Sequence, residues 1–91
     1  MPDCLIVFAA MSQVRRVKKV LEAGGAYYEI LRSPHCISPG GCSYSIRCAE
    51  TEIPRVLAVT GELSIPVSGV YGERRVENQA RYEPYAEALE Q

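Results

Sequence analysis

The feature that most constrains the fold is an uninterrupted apolar run near the start of the chain, Leu5-Ile-Val-Phe-Ala9. Its length and its β-branched members are typical of a central strand that is covered on at least one face. The slightly longer run Cys4–Ala10 is far too short to cross a bilayer, and Asp3 stands where a signal peptide needs a basic residue. We therefore expect a cytoplasmic protein, and the length of 91 residues favours one domain.

An amphipathic helix is predicted directly after this strand. Ser12 is a good N-cap, Arg15 lies in the predicted first turn, and Gly24-Gly25 supplies a left-handed stop. Between these ends, apolar residues recur at helical spacing and basic residues occupy the other side, which predicts a solvated basic face. The inner residues are Val14, Val17, Val20 and Leu21, and the outer ones are Arg15, Arg16, Lys18 and Lys19.

Two further segments have the composition or the period of strands. The first, Tyr27–Arg32, is rich in aromatic and β-branched residues. The second, Ser43–Cys48, alternates strictly between two kinds of side chain, which predicts a strand with one wet face. Its apolar face carries Tyr44, Ile46 and Cys48, and its polar face carries Ser43, Ser45 and Arg47.

A second helix and a last strand are predicted after residue 50. Thr51 can cap the helix, and Pro54 is tolerated in its first turn. The helix should end near Gly61, and Ile65–Tyr71 is typical of a strand in which Pro66 favours an edge position or the first residues. The inner stripe of the helix is Ile53, Val56, Leu57 and Thr60.

The C-terminal segment is mostly polar but has one apolar stripe. Its members repeat at the spacing of a helical face, and Pro84 suits the start of a helix. We therefore predict a short C-terminal helix within a tail that covers residues 73–91. The stripe consists of Tyr82, Tyr85, Ala86 and Leu89.

The order strand, helix, strand, strand, helix, strand predicts an α+β fold of the ferredoxin-like split βαββαβ type in residues 1–72. Its antiparallel sheet would carry both helices on one face. Right-handed crossovers make the first two strands parallel, with the third inserted antiparallel between them. The loop from Ser33 to Cys42 then shares one end of the molecule with the N-terminus of the first helix, whose partial positive charge favours anions such as a thiolate.

Three of the four cysteines lie in the segment Ser33–Cys48, SPHCISPGGCSYSIRC. Without a signal peptide, reduced thiols are the expected state. Cys48 shares the apolar face of its strand and Cys4 enters the first strand, so we expect both to be buried as small hydrophobes. Cys36 and Cys42 instead lie beside a Pro-Gly-Gly sequence, where a side chain can be exposed and the backbone can approach a partner.

Other chemistries fit this segment less well. Zinc ligation by His35 and the three cysteines would use C-x5-C-x5-C spacing instead of a C-x2-C knuckle, and no iron–sulfur spacing matches. A redox disulfide between Cys36 and Cys42 is plausible, although the C-x-x-C spacing is absent. A hydrolase couple of His35 and Cys36 is weak, because sequence neighbours often point apart. The polar face of the third strand has no ring on which RNA bases could stack. We expect neither a cofactor nor nucleic acid.

A family resemblance lies on the same segment. After an apolar strand, an amphipathic helix that ends at glycine, and a second strand, the chain continues with Pro34, Ile37-Ser38, Cys42 and Ile46-Arg47. In this order the sequence resembles the putative selenium/sulfur carrier protein-like family, over roughly residues 4–71. The most specific part of the resemblance is the segment from Pro34 to Arg47.

The resemblance implies a persulfide or selenopersulfide carried on the loop cysteine, which is Cys42 in this chain. A carrier thiol must be accessible and partly ionised to attack a donor persulfide and then pass the terminal atom to an acceptor. Cys36 would be a resolving thiol that releases the cargo by forming a disulfide with Cys42. The residues expected to shape the loop or to stabilise its anion are Ser12, Arg15, His35, Gly40, Gly41 and Ser43.

The functional hypothesis is a carrier or accessory protein, rather than a stand-alone enzyme, that meets sulfur or selenium donor and acceptor proteins but no membrane. Two alternatives stay open. One is a non-catalytic binding or assembly module, in which the sheet or residues 82–89 form a homodimer or contact another protein. The other is a small thiol-disulfide redox protein that uses Cys36 and Cys42.

Overall fold

Five strands and two α-helices make up the described part of the chain, which a computed structural model covers in residues 3–25, 27–33 and 43–84. A single 3-10 turn, Glu50–Glu52, precedes the second helix. In chain order the elements are β1 (Asp3–Phe8), α1 (Met11–Ala23), β2 (Glu29–Arg32), β3 (Tyr44–Ala49), α2 (Ile53–Glu62), β4 (Gly69–Val76) and β5 (Gln79–Pro84).

The sheet has the order β2-β3-β1-β4-β5, and every neighbouring pair is antiparallel. Because β3 runs antiparallel to both β1 and β2, those two strands run in the same direction, as the crossover argument predicts. The α+β class and the antiparallel sheet are therefore confirmed. The strand order differs from the predicted four-stranded ferredoxin-like sheet, because β5 pairs along the outer edge of β4.

The predicted C-terminal helix is wrong in the residues that the structure describes. Tyr82 and Pro84 lie in β5, where Pro84 ends an edge strand. Glu77 and Asn78, with φ values of 52° and 67°, form the turn that joins β4 to β5. Positive φ at both positions matches the twist of a tight hairpin, so this turn outweighs the helical spacing. The rest of the predicted stripe, Tyr85, Ala86 and Leu89, lies outside the described residues.

The hydrophobic core lies between one face of the sheet and both helices. Cys4, Ile6 and Phe8, alternate residues of β1, belong to one buried cluster with side chains of α1 and α2. Alternate strand residues share a face, so both helices lie on the same side of the sheet, as predicted. Val20 is 40% exposed and was wrongly placed inside, because α1 meets the sheet through a narrower stripe than predicted. That stripe is Val14, Val17 and Leu21.

β1 is buried on its other face as well. Leu5 and Val7 are 0% and 4% exposed, although they point away from the cluster that contains the helices. In the sheet register, Leu5 lies between Arg47 and Tyr71, whose long side chains can cover it. Val7 lies beside Ser45, which is 0% exposed. The wet face predicted for β3 is therefore wrong at Ser45.

Both helix starts differ from the prediction. The N-cap of α1 is Ala10, so Ser12 lies inside the first turn and does not cap it. Thr51 lies in the 3-10 turn, and the N-cap of α2 is Glu52. No side chain caps either helix. The chain enters α2 directly from the 3-10 turn. The N-terminus of α1, which no side chain caps, lies at the end of the sheet that contains the candidate site.

Candidate functional site

The segment 34–42 leaves and rejoins the sheet at the end where β1 connects to α1. Its two flanking residues continue the β2–β3 ladder, since Ser33 N donates a hydrogen bond of 3.1 Å to Ser43 O. The next residue, Tyr44, pairs with Phe8, the last residue of β1. We call Ser33 and Ser43 the neck of the segment. The residues that flank the loop therefore share one end of the sheet with the N-terminus of the first helix, as predicted.

A buried pair of hydroxyl groups holds the neck together. Ser33 Oγ and Ser45 Oγ are 2.6 Å apart, and the two residues are 4% and 0% exposed. A buried hydroxyl that loses its partner is still desolvated but no longer forms a hydrogen bond. Breaking this hydrogen bond should therefore lower the free energy of unfolding. It fixes the spacing of β2 and β3 where the segment begins and ends.

The N-terminus of α1 lies at this end of the sheet and carries no compensating negative group. Its N-cap is Ala10, and its first turn contains no acidic residue. Gln13 N and Val14 N both donate to Ala10 O, at 3.2 and 3.3 Å. The amides of Met11 and Ser12, at the first two helical positions, have no intrahelical acceptor. Such a helix end attracts anions.

Two buried polar atoms near this end, Gln13 Oε1 and Ser43 Oγ, have no hydrogen-bond partner within the described ranges. Buried polar atoms are usually satisfied, so we expect the partners of these two atoms outside the described residues or in a bound group. Ser43 follows Cys42 in the sequence and was predicted as a site residue. Gln13 was missed, because nothing in its spacing distinguishes it from any other polar residue of an amphipathic helix.

Three predicted site residues, Ser43, Ser12 and Arg15, lie in the described ranges. Ser43 belongs to the neck, and Ser12 is exposed in the first turn of α1. Arg15 is exposed too, but α1 begins at Met11, so Arg15 lies in the second turn and not in the first. The other predicted site residues, His35, Cys36, Gly40, Gly41 and Cys42, lie outside the described residues.

The other two cysteines lie in the core, as predicted. Cys4 and Cys48 are 1% and 5% exposed and belong to the cluster between the sheet and the helices. Within residues 3–25, 27–33 and 43–84, no group of three or more His, Cys, Asp or Glu side chains could hold a metal ion. The zinc ligand set considered from the sequence includes residues outside these ranges.

A charge cluster that the sequence does not reveal lies on the sheet face away from the helices. Arg47 Nη2 is 3.3 Å from Glu73 Oε2, and Arg47 Nη1 is 3.8 Å from Glu29 Oε2. Tyr82 OH donates to the same oxygen of Glu73 at 2.8 Å. Arg47 is in β3 and Glu73 is in β4, so their ion pair spans β1 close to the buried Leu5. The contact joins strands that are distant in sequence, which is why spacing alone gives no sign of it.

An open groove of about 500 Å³ lies near the other end of β3, away from the neck. Tyr27 on its wall is 78% exposed, and Lys18 Nζ lies 5.0 Å from the centroid of that ring. The lining combines aromatic, acidic and basic side chains with one cysteine. It consists of Tyr27, Tyr28, Glu29, Arg47, Cys48, Ala49 and Glu52.

Tyr28 is the buried aromatic residue of this groove. Its hydroxyl donates to Glu52 Oε2 at 3.1 Å, and the residue is 4% exposed. Burial is the largest cause of the raised pKa of Tyr28, and the contact with Glu52 also raises it, while Arg55 opposes the shift. The phenol is therefore held in its neutral form to higher pH in the folded protein than in the unfolded chain.

These features define an α+β protein in which the described residues that flank the cysteine-bearing segment, Ser33 and Ser43, pair at the end of the sheet where β1 leads into α1. Residues 3–72 match the family described as "putative Se/S carrier protein-like", and the chain belongs to this family. A search of curated proteins and a search of solved structures each found no match. Of the helices in the described ranges, none is long and apolar enough to span a membrane.

Breaking the hydroxyl pair at the neck should destabilise the fold measurably. We expect Ser33→Ala and Ser45→Ala each to lower the free energy of unfolding by about 1–3 kcal/mol, because each leaves a buried hydroxyl unsatisfied. The double variant should lose less than the sum of the two, since neither hydroxyl then remains. Urea unfolding of the four proteins measures this, with the exposed Ser68→Ala as control. Strictly additive losses would contradict the pairing.

The raised pKa of Tyr28 gives a stability that disappears at alkaline pH. The native state keeps the phenol proton at pH values where the unfolded chain, with a reference pKa of 10.0, releases it. The contribution is therefore complete below pH 10.0 and is lost as the pH rises through the folded-state pKa. Urea unfolding at a series of pH values above 10.0 should show that the free energy of unfolding falls more steeply with pH in the wild type than in Tyr28→Phe. Tyr27→Phe, at an exposed position, should keep the wild-type dependence of the free energy of unfolding on pH. The same dependence in Tyr28→Phe and in the wild type would contradict the raised pKa of Tyr28.

Proposed function

We propose that this protein is a sulfur or selenium carrier that holds its cargo as a persulfide or selenopersulfide on Cys42. The observation that carries the proposal is the neck beside the bare N-terminus of α1, in a chain that belongs to the Se/S carrier protein-like family. Cys42 is bonded to Ser43 of the neck, and consecutive Cα atoms are only about 3.8 Å apart. We therefore expect the thiol to lie near the end of the sheet where an anion is favoured.

The loading step is a thiol exchange. The Cys42 thiol releases its proton, and the thiolate attacks the terminal sulfur of a donor persulfide. A bond forms between Cys42 Sγ and that sulfur, the donor's S–S bond breaks, and the donor leaves as a thiolate that takes up a proton. The same displacement at a donor's terminal selenium would give the selenopersulfide. The cargo then passes to an acceptor protein by attack of the acceptor on the terminal atom.

The groups around the neck can stabilise both anions of this cycle, the thiolate of Cys42 and its persulfide. A thiolate and a persulfide anion each gain from the amides at the start of α1. Ser43 Oγ can donate a hydrogen bond to a sulfur anion, and the exposed Arg15 adds a positive charge within the second turn of the helix. These contributions favour ionisation of the carrier thiol without a cofactor.

Cys36 is the second thiol of the proposal. It would attack Cys42 Sγ in the loaded persulfide, forming a Cys36–Cys42 disulfide and releasing the terminal atom as hydrosulfide or hydroselenide. A cellular thiol would then have to reduce the disulfide before the next cycle. His35, Gly40 and Gly41 belong to the same segment and are proposed to shape the approach of donor and acceptor.

Loading with a low-molecular-weight persulfide tests the proposal. The full chain is incubated under native conditions, its thiols are alkylated, and peptide mass spectrometry locates the added sulfur. We expect the sulfur on the Cys42 peptide in the wild type and in Cys36→Ser, and its loss in Cys42→Ser. Cys36→Ser should also retain the persulfide longer, since the resolving thiol is gone.

Two results would contradict the carrier assignment. One is equal labelling of all four cysteines under native conditions. The other is the absence of label on Cys42 while another cysteine is loaded. Unfolding the protein in urea before loading supplies the reference, because all thiols are then equally accessible.

A further inference from the structure

The two core cysteines face each other directly across the centre of the sheet. In the β1–β3 register, Cys4 is the partner of Cys48. Residues that are directly opposite in an antiparallel pair have Cα atoms about 4.5 or 5.5 Å apart, depending on the kind of pair. Disulfides join residues whose Cα atoms are roughly 4.4–6.8 Å apart, so the Cα spacing of either kind lies within the range of a disulfide.

Both thiols are distinct from the carrier site. The Cys4–Cys48 rung is four rungs away from the Phe8–Tyr44 rung, which adjoins the neck. It lies toward the end of β3 that adjoins the groove. The structure holds both as buried thiols, in the same apolar cluster. Their side chains share the helix-facing side of the sheet, which is the condition for two sulfur atoms to meet.

The groove makes the pair asymmetric. Cys48 is part of its lining, whereas Cys4 is not. Cys48 is 5% exposed and lines the groove, so a small molecule there lies against this residue, and Cys4, which is 1% exposed, is its cross-strand partner. The lining also includes Glu29, Glu52 and Arg47, groups of both signs. A small disulfide that carries ammonium and carboxylate groups, as amino-acid and peptide disulfides do, has matching charges for such a surface.

We propose that Cys48 and Cys4 form a dithiol site that reacts with amino-acid or peptide disulfides entering through this groove, and that its product is a disulfide between β1 and β3. Cys48 is the attacking thiol, and Cys4 is the resolving thiol. Nothing in this proposal depends on Cys42 or on the carrier function.

The reaction consists of two exchanges. The Cys48 thiol loses its proton to solvent, and its thiolate attacks one sulfur of the small disulfide. The S–S bond of the small molecule breaks, and a mixed disulfide forms on Cys48. The other half of the small molecule departs as a thiolate and takes up a proton. Cys4 then loses its proton and attacks Cys48 Sγ, which releases the second half as a thiol. The two protein thiols lose two electrons and become one disulfide, and the small disulfide gains two electrons and two protons.

The test uses the full chain with Cys36→Ser and Cys42→Ser, in which only the proposed pair can react. The protein is incubated with oxidised glutathione under native conditions, and intact-mass and peptide mass spectrometry follow its thiols. The expected result is a loss of two hydrogens per chain and a crosslinked peptide pair containing Cys4 and Cys48. The oxidised form should also unfold at a higher urea concentration than the reduced form, because the disulfide restrains the unfolded chain.

Single substitutions in this background test the order of the two thiols. Cys4→Ser should stop at the mixed disulfide with glutathione on Cys48. Cys48→Ser should remain unmodified over the same time, since Cys4 does not line the groove. An equally fast mixed disulfide on Cys4 in the Cys48→Ser protein would overturn the assignment of roles.

Oxidation that occurs only after urea unfolding would overturn the site as a whole. The wild-type chain, mapped under the same native conditions, supplies a second measurement if the substituted background folds poorly. A Cys4–Cys48 crosslink there supports the proposal, and glutathione on Cys36 or Cys42 with both core thiols reduced contradicts it. Persulfide loading of Cys42 is scored separately, so failure of one site is distinguishable from failure of the other.

Discussion

The burial of β1 on both faces is the constraint on which the rest of the structure depends. One face packs in the cluster with α1 and α2, and the other lies beneath the ion pair between Arg47 and Glu73. A strand enclosed in this way has only one workable register, because a slip of one residue would exchange its two faces. That register places Phe8 beside Tyr44, and so sets the neck next to the start of α1. It also places Cys4 opposite Cys48, so the register of one strand underlies both of the proposed thiol sites.

The parts of the fold that the sequence predicted are those in which periodicity reports burial directly. The apolar run of β1 and the alternation of β3 led to two correct strands and, with the crossover rule, to their order with β2. The errors arose where a partner distant in sequence decides the environment. Ser45 was predicted on the solvent-exposed face of β3, but it is buried, and its hydroxyl is paired with that of Ser33. Tyr82 fits a helical stripe, but the turn at residues 77–78 folds it back as a strand.

The candidate site divides in the same way. The order of the elements and the right-handed crossover rule predicted which end of the sheet carries the loop. The choice of Cys42 among the cysteines came from the family resemblance, because residue type and spacing left Cys36 equally open. Gln13 and the ion pair of Arg47 with Glu73 required the structure, since each depends on a neighbour brought close by tertiary packing. The pairing of Cys4 with Cys48 likewise needs the register and not merely the two strands.

We propose that the fold favours the thiolate of Cys42. The most direct test is the rate at which iodoacetamide alkylates Cys42 as a function of pH, followed by peptide mass spectrometry in the native protein and in urea. The account predicts a native midpoint below about 8.5, the unperturbed value for a cysteine thiol, and a return toward that value on unfolding. A midpoint that is the same in the native and unfolded chains, or higher in the native protein, would contradict it.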